Sequence, residues 1–93
     1  MTVASVTRGV EIVNRLGLHA RAAATLVELT NKFEAEITIA KDDLEVNAKS
    51  IMGILMLAAA KGSTIRVRAD GPDAEAAVAE IAALIANRFG EPD

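Results

Sequence analysis

The chain has 93 residues, of which 52% are hydrophobic, and this size predicts one domain spanning residues 1–93 with a single core. It contains no cysteine, which excludes disulfides, thiolate metal sites and a cysteine nucleophile. The net charge of −3, the presence of only two phenylalanines and the lack of Trp and Tyr argue against nucleic-acid binding through phosphate attraction or base stacking.

The chain begins with a strand pattern, a loop and a helix pattern. Residues 6–13 alternate between apolar and polar side chains, which is typical of a half-buried strand. Residues 14–19 form a loop in which Gly17 can adopt backbone angles that other residues avoid. Residues 20–33 carry one apolar and one polar stripe at helical spacing, which predicts an amphipathic helix.

A β-hairpin is predicted next. Residues 36–39 and 44–46 alternate on either side of a polar turn. We interpret Asp42 and Asp43 in that turn as turn formers rather than metal ligands, because no other acidic residues cluster with them at ligand spacing.

Three further elements are predicted in the second half. Residues 50–60 form an apolar helix, ended by the lysine and glycine at 61–62. Residues 64–69 alternate as a fourth strand, with its two arginines on a solvated face. The Gly-Pro-Asp sequence at 71–73 opens a third amphipathic helix, which Gly90 ends, and the aspartate there is favourable to the helix dipole.

The order strand, helix, strand, strand, helix, strand, helix predicts a two-layer α+β sandwich, because all three helices can bury their apolar faces against one apolar face of a sheet. The apolar stretch at 51–60 is too short to span a bilayer. The N-terminal residues 1–5 lack the basic and apolar regions of an export signal, so we expect a cytoplasmic protein without membrane insertion.

The chain's single histidine, His19, lies in the loop immediately before the first predicted helix. The unpaired N–H groups and the dipole of a helix N-terminus favour an anion there, and Arg21 adds a guanidinium whose donors suit phosphate oxygens. These features indicate an imidazole suited to carry a phosphoryl group. A histidine before a helix is also commonly a polar capping residue, and spacing alone does not separate the two interpretations.

Two motifs carry a resemblance to a known family. Residues 17–23 read GLHARAA, which resembles the active-site signature of HPr, the histidine-containing phosphocarrier of the bacterial sugar phosphotransferase system. Residues 49–57 read KSIMGILML and are similar to the regulatory-serine signature of the same family, at the family's separation. The resemblance implies an open-faced β-sandwich, in which three helices cover one face of a four-stranded antiparallel sheet.

The resemblance also implies roles for individual residues. His19 matches the histidine that enzyme I phosphorylates at Nδ1, with phosphoenolpyruvate as the ultimate donor, and Arg21 matches the arginine that stabilises the phosphoryl group. Ser50 matches the serine that HPr kinase/phosphorylase modifies in some bacteria, although a serine before an apolar helical run is also a good N-cap. Ala22 departs from the family, which often has proline at that position.

The second predicted helix is unusual because residues 51–60 include no charged or polar side chain. A helix that covers one side of a sheet should have a polar stripe, so part of this helix is either exposed for docking or unusually buried. Ile51, Met52 and Leu55 can lie on one side, and methionine suits surfaces that accept several partners. In HPr-like proteins the matching positions bind enzyme I and enzyme IIA domains; the alternative is that they are ordinary core residues.

Two functions remain open. The first is a monomeric phosphocarrier that takes a phosphoryl group onto His19 and passes it to enzyme IIA domains in sugar uptake. The second is a regulatory module of the nitrogen-type branch, which controls partners by its phosphorylation state. With one histidine, no cysteine and no second catalytic group expected beside His19, we predict neither an autonomous enzyme nor a cofactor or metal site.

Overall fold

The computed structural model describes residues 4–93; residues 1–3, part of the stretch for which no export signal is predicted, lie outside the described residues. The strands are β1 (Ser5–Glu11), β2 (Glu36–Lys41), β3 (Leu44–Asn47) and β4 (Thr64–Asp70), and the helices are α1 (Ala20–Thr30), α2 (Ile51–Met56) and α3 (Ala74–Ala86). A short turn over Arg88–Gly90 follows α3. Within residues 4–93, no helix is both long enough and apolar enough to cross a membrane.

The four strands form one antiparallel sheet in the order β1–β4–β2–β3. In the central strand β4, Ile65, Val67 and Ala69 are buried while the intervening side chains are exposed. This alternation follows from the period of two along a strand, which turns one face toward the helices and leaves the other in solvent. The α+β open-faced sandwich predicted from the sequence is confirmed.

The core lies between the sheet and the helices. Helix α3 packs against β1 and β4, and α1 packs against α2 and α3. The large side chains with almost no exposed surface come from every layer: Ile12, Leu26, Ile37, Ile39, Ile54, Ile65, Val67, Ile81 and Ile85. Burial of apolar surface at about 25 cal/mol per Å² makes this layer the main source of stability.

Helix α2 is shorter than predicted. It ends at Met56, with Leu57 as the C-cap, and Ala58 then adopts a positive φ of 49°. The chain leaves the helix at this point, and the Ala59 carbonyl accepts a hydrogen bond of 2.9 Å from the Leu18 amide of the loop before α1. The predicted end at 61–62 is therefore wrong; the Gly62 amide instead donates to the Ile12 carbonyl at 2.8 Å.

The other two helices also end earlier than predicted. Helix α1 stops at Thr30, whose buried hydroxyl donates to the Ala48 carbonyl at 2.8 Å. Helix α3 stops at Ala86 rather than near Gly90. Arg88 and Phe89 adopt positive φ values of 57° and 55°, and this reversal buries the Phe89 ring while turning the following chain back over the sandwich.

Asp73, which we expected to interact with the α3 dipole, makes a more specific contact. Its side chain makes no capping hydrogen bond to α3; its two carboxylate oxygens accept the amides of Glu34 at 2.8 Å and Ala35 at 2.9 Å. The hydrogen bond from the Glu34 amide has the largest effect on the pKa of Asp73 and lowers it. The Ala35 amide and the Lys49 charge also lower this pKa, whereas partial desolvation acts to raise it. The carboxylate therefore joins the start of α3 to the segment before β2.

This contact predicts an acid-dependent loss of stability. Because the folded-state pKa of Asp73 is depressed, its contribution is present above the unfolded-state value of about 4 and is lost as the pH falls further. The side chain in Asp73→Asn offers one acceptor oxygen to two amides, so we expect a lower free energy of unfolding than that of the native protein at pH 7. This gap in stability between the two proteins should narrow toward pH 2.5. Urea unfolding at several pH values measures this gap. Asp43→Asn, in the exposed β2–β3 turn, is the control; a gap for Asp73→Asn that is constant with pH would contradict the assignment.

Candidate functional site

The loop that precedes α1 is anchored to the core at several points. Asn14 is fully buried, and its side-chain amide donates to the Gly17 carbonyl at 2.8 Å. Gly17 has a φ of +67°, and Leu18 is buried with its amide bonded to Ala59. A buried residue on each side of Gly17 therefore fixes the path of the loop, so that His19 is presented from a rigid support.

His19 is the N-cap residue of α1. Its backbone is extended, with φ −77° and ψ 178°, and its Nδ1 accepts a hydrogen bond of 3.2 Å from the Arg21 amide. The other ring nitrogen, Nε2, contacts the carboxylate Oε2 of Glu91. A carboxylate only accepts hydrogen bonds, so Nε2 carries the proton and the lone pair is on Nδ1. The capping role and an available lone pair thus belong to the same atom.

Glu91 is the residue that sequence reasoning missed. It lies 72 residues from His19 and reaches it through the Arg88–Gly90 turn. Its Oε1 accepts the side-chain amide of Asn14 at 2.9 Å, and its side chain is only 13% exposed. From the sequence we expected no second catalytic group beside His19 and named Arg21 alone as its ionisable neighbour, whereas the structure places the Glu91 carboxylate against the ring. No motif or spacing indicated this carboxylate, because it follows the last predicted element.

The pKa of Glu91 reflects two opposing effects. Burial of the carboxyl acts to raise it, whereas the hydrogen bonds from Asn14 and His19 and the nearby charge of Arg21 act to lower it. The lowering effects prevail, so the pKa lies below its usual value. Glu91 is therefore a carboxylate at neutral pH, which is the form that can accept the Nε2 proton in a hydrogen bond.

A groove of about 340 Å³ opens beside the imidazole. It is lined by His19 and Arg21, by Arg15 and Leu16 of the loop, and by residues 91–93. The His19 side chain is 27% exposed, so a reacting group can approach it from this side. Asp93 pairs with Arg15 in this groove, and Glu91 contacts His19. The Arg21 guanidinium and the N-terminus of α1 are therefore the groups that favour an anion beside the ring.

The structure separates the predicted docking residues by exposure. Ile51 is 41% exposed and Met52 is 71% exposed, whereas Leu55 is partly buried and packs against the core. Met56 was not predicted to be part of this surface, yet it is 65% exposed. Its position four residues after Met52 could have placed it on the same helix face. We call Ile51, Met52 and Met56 the α2 patch.

Ser50 is the N-cap residue of α2. Its hydroxyl oxygen accepts the Gly53 amide at 3.1 Å, and the side chain is partly buried. The capping role expected for this serine is therefore present, and Ser50 directly precedes the α2 patch. Ala22, where the family often has proline, is fully buried in the first turn of α1.

Comparison with known proteins assigns the fold and the loop to one family. The family model described as the PTS HPr component phosphorylation site matches residues 6–87. The chain belongs to the HPr family. The phosphocarrier protein HPr of Cupriavidus necator is 50% identical over 84 residues, covering 90% of this chain and 94% of that protein. The crystal structure of HPr from Bacillus anthracis has a TM-score of 0.83 at 48% identity, covering 86% of this chain and 95% of that chain.

The comparisons confirm the resemblance to the HPr family that the motifs at 17–23 and 49–57 indicated. This chain is therefore similar to the phosphocarriers of the phosphotransferase system. The phosphocarrier protein NPr of Escherichia coli is 44% identical over 88 residues, covering 94% of this chain and 98% of that protein. Proteins named HPr and proteins named NPr are thus both similar to this chain, and both are relatives within one family.

Proposed function

We propose that this HPr-family chain accepts a phosphoryl group from phospho-enzyme I on Nδ1 of His19 and passes it to an enzyme IIA domain. The observation that carries the proposal is the pair of contacts on the ring. The Arg21 amide reaches Nδ1, and Glu91 accepts from Nε2, so the nucleophilic lone pair lies at the N-terminus of α1.

The chemistry follows from that geometry. The Nδ1 lone pair forms the bond to phosphorus, while the bond between phosphorus and the donor atom breaks and its electron pair returns to the donor. Nδ1 must release the Arg21 amide in this step, and a phosphoryl oxygen can then accept the same N–H, so α1 stays capped. The Arg21 guanidinium, which borders the groove, neutralises part of the phosphoryl charge.

The chain acts in this proposal as a carrier and not as an autonomous enzyme. The phosphoryl group enters and leaves through the same exposed groove, and both steps depend on a partner that brings its own acceptor or donor atom. Phosphoenolpyruvate, the ultimate donor, is a cytoplasmic metabolite, so the relay operates in the cytoplasm. A carrier that meets two proteins in turn needs one face that both can bind.

We assign that face to the α2 patch, which predicts a strong effect of charge at Met52. Met52→Asp places a carboxylate where an apolar partner surface would desolvate it, so we expect the KM of enzyme I for this chain to rise at least about tenfold, or about 1.4 kcal/mol. The free energy of unfolding should change by less than about 0.5 kcal/mol, because the side chain is 71% exposed.

Leu44→Asp provides the matched control for Met52→Asp. Leu44 is also an exposed apolar side chain, 40% exposed, but it lies at the hairpin end of β3 rather than on α2. We expect the KM for enzyme I to be unchanged in this variant. An equal rise in KM for both variants, measured by steady-state phosphoryl transfer, would remove the α2 patch from the docking surface.

We also propose that Ser50 is a site of regulatory phosphorylation by HPr kinase/phosphorylase. A phosphate on its hydroxyl oxygen could still accept the Gly53 amide, so the modification would leave α2 folded. It would add about two negative charges immediately before Ile51 and Met52, which opposes docking of an acidic partner face. Incubation with ATP and the kinase should yield an acid-stable phosphate that Ser50→Ala lacks; an acid-stable phosphate retained by that variant would refute the assignment.

A transfer assay tests the proposed relay and separates its two branches. Purified chain, Mg²⁺, labelled phosphoenolpyruvate and enzyme I should yield an acid-labile phosphate on this chain, which then moves to an enzyme IIA. Faster transfer to a carbohydrate enzyme IIA supports the sugar branch. Faster transfer to a nitrogen-type enzyme IIA supports the alternative; relatives named HPr and relatives named NPr are both similar to this chain. No labelling with a cognate enzyme I of either branch would overturn the relay itself.

A further inference from the structure

The contact between Glu91 and His19 is supported from both ends of the carboxylate. One oxygen, Oε2, contacts Nε2 of the ring, and the other, Oε1, accepts the side-chain amide of the fully buried Asn14. Asn14 also donates to the Gly17 carbonyl, so the loop and the carboxylate share one anchor. The carboxylate is therefore held in register with the same loop that presents the imidazole.

The chain path that delivers Glu91 is equally specific. Arg88, Phe89 and Gly90 all have positive φ, and the buried Phe89 ring pins this turn to the core. The Glu91 amide donates to the Arg88 carbonyl at 2.9 Å and completes the turn. Non-glycine residues with positive φ cost about 1–2 kcal/mol each, so packing around Phe89 maintains a strained path that ends at the imidazole.

We propose that Glu91 is a positioning residue that keeps the proton on Nε2 of His19 throughout phosphoryl transfer. This inference rests on the proposed function, because it concerns the chemistry of the same ring. Glu91 does not contact the reacting nitrogen; it acts on Nδ1 through the ring, as a hydrogen-bonded carboxylate orients and polarises an imidazole.

Proton balance explains why such a carboxylate matters. When Nδ1 bonds to phosphorus with Nε2 protonated, the ring becomes positively charged, and the adjacent carboxylate offsets that charge. When the phosphoryl group leaves, the N–P bond breaks and its electron pair returns to Nδ1. The ring then leaves as neutral imidazole, because Nε2 has kept its proton; without that proton it would have to leave as a far more basic imidazolate.

The charges around the ring decide how strongly Nε2 holds its proton in the phosphorylated protein. Arg21 from α1 and Arg15 from the loop border the groove and oppose protonation, whereas Glu91 and Asp93 favour it. Of the two carboxylates, Glu91 contacts Nε2, and Asp93 pairs with Arg15 at 3.4 Å. Glu91 should therefore have the dominant effect, and Asp93 supplies a matched control on the same segment.

The first test uses the unphosphorylated protein and is independent of the relay. In ¹H–¹⁵N NMR at a pH where the ring is neutral, we expect Nε2 to carry the proton, with a strongly downfield Nε2–H resonance typical of a bond to a carboxylate. Glu91→Ala should lose that resonance, and Asp93→Asn should retain it. A resonance that survives unchanged in Glu91→Ala would overturn the proposed contact.

The second test measures hydrolysis of the phosphorylated chain as a function of pH. The rate should fall as Nε2 loses its proton, because a protonated ring is the better leaving group. We expect the midpoint of that fall to lie about 1 pH unit lower in Glu91→Gln than in the native chain, since the variant keeps an acceptor but loses the charge. Asp93→Asn should leave the midpoint unchanged.

The outcomes distinguish this inference from the proposed function. If enzyme I labels the native chain and Glu91→Gln has the native midpoint, or if both variants shift it equally, Glu91 is not the positioning residue. If the native chain is not labelled at all, the relay fails, while the NMR measurement still decides whether Glu91 holds the Nε2 proton.

Discussion

His19→Asn is expected to abolish acid-labile phosphorylation of the chain while leaving α1 capped. Asparagine is among the best N-cap residues, so its side chain can accept the Arg21 amide that Nδ1 accepts in the native protein. It has no nucleophilic ring nitrogen, and no phosphoryl group can be carried. Labelling from phosphoenolpyruvate through enzyme I, with urea unfolding of the same sample, measures both properties.

His19→Ala is the companion variant, because it removes the ring and the cap together. We expect it to be unlabelled as well and to be less stable than His19→Asn by about 1 kcal/mol. Both variants remove the partner of Glu91, so the difference between them isolates the cap. An acid-labile phosphate on His19→Asn would show that another residue carries the phosphoryl group and that His19 only caps the helix.

Gly17→Ala is expected to lower the free energy of unfolding by about 2–5 kcal/mol. Gly17 has a φ of +67°, which costs a residue with a Cβ about 1–2 kcal/mol. A Cβ at this position would also lie 2.5 Å from the Ala59 carbonyl oxygen, and relieving such crowding costs a further 1–3 kcal/mol, approximately. The loop must move away from Ala59, which displaces His19, so we also expect slower phosphoryl transfer.

Gly62→Ala separates backbone strain from crowding. Gly62 has a φ of +91°, yet no heavy atom lies within 4 Å of where its Cβ would be. We expect this variant to be less stable by only the conformational cost of positive φ, about 1–2 kcal/mol, and to transfer the phosphoryl group at the native rate. Urea unfolding of both variants gives the comparison; equal losses of stability would mean that the contact between Gly17 and Ala59 does not constrain the loop.

The sheet could be predicted from sequence because its strands alternate clearly and are separated by recognisable turns. The length of α2 could not, because residues 51–60 lack the polar stripe whose interruption would mark a helix end. Alanines at 58–60 favour helix locally, but the hydrogen bond between Leu18 and Ala59 imposes a different path. Tertiary contact overrode local propensity at that point.

The candidate site, like the fold, could be predicted only in part from the sequence. His19 and Arg21 lie two residues apart at a helix start, so a short motif can reveal both. Glu91 joins them only after a turn with three positive φ values at 88–90, and nothing local to Glu91 indicates its partner. Helical spacing from Met52 could have predicted the position of Met56 on the same helix face, but its exposure depends on how α2 packs against the core.

Locating the phosphorus atom in the phosphorylated native chain tests the central claim most directly. Phosphorus-coupled ¹H–¹⁵N NMR of the chain, labelled through enzyme I, assigns the phosphoryl group to one ring nitrogen. The expected result is a ³¹P coupling to Nδ1 of His19, with Nε2 still protonated at neutral pH. A phosphoryl group on Nε2 or on a residue other than His19 would contradict the proposed relay chemistry.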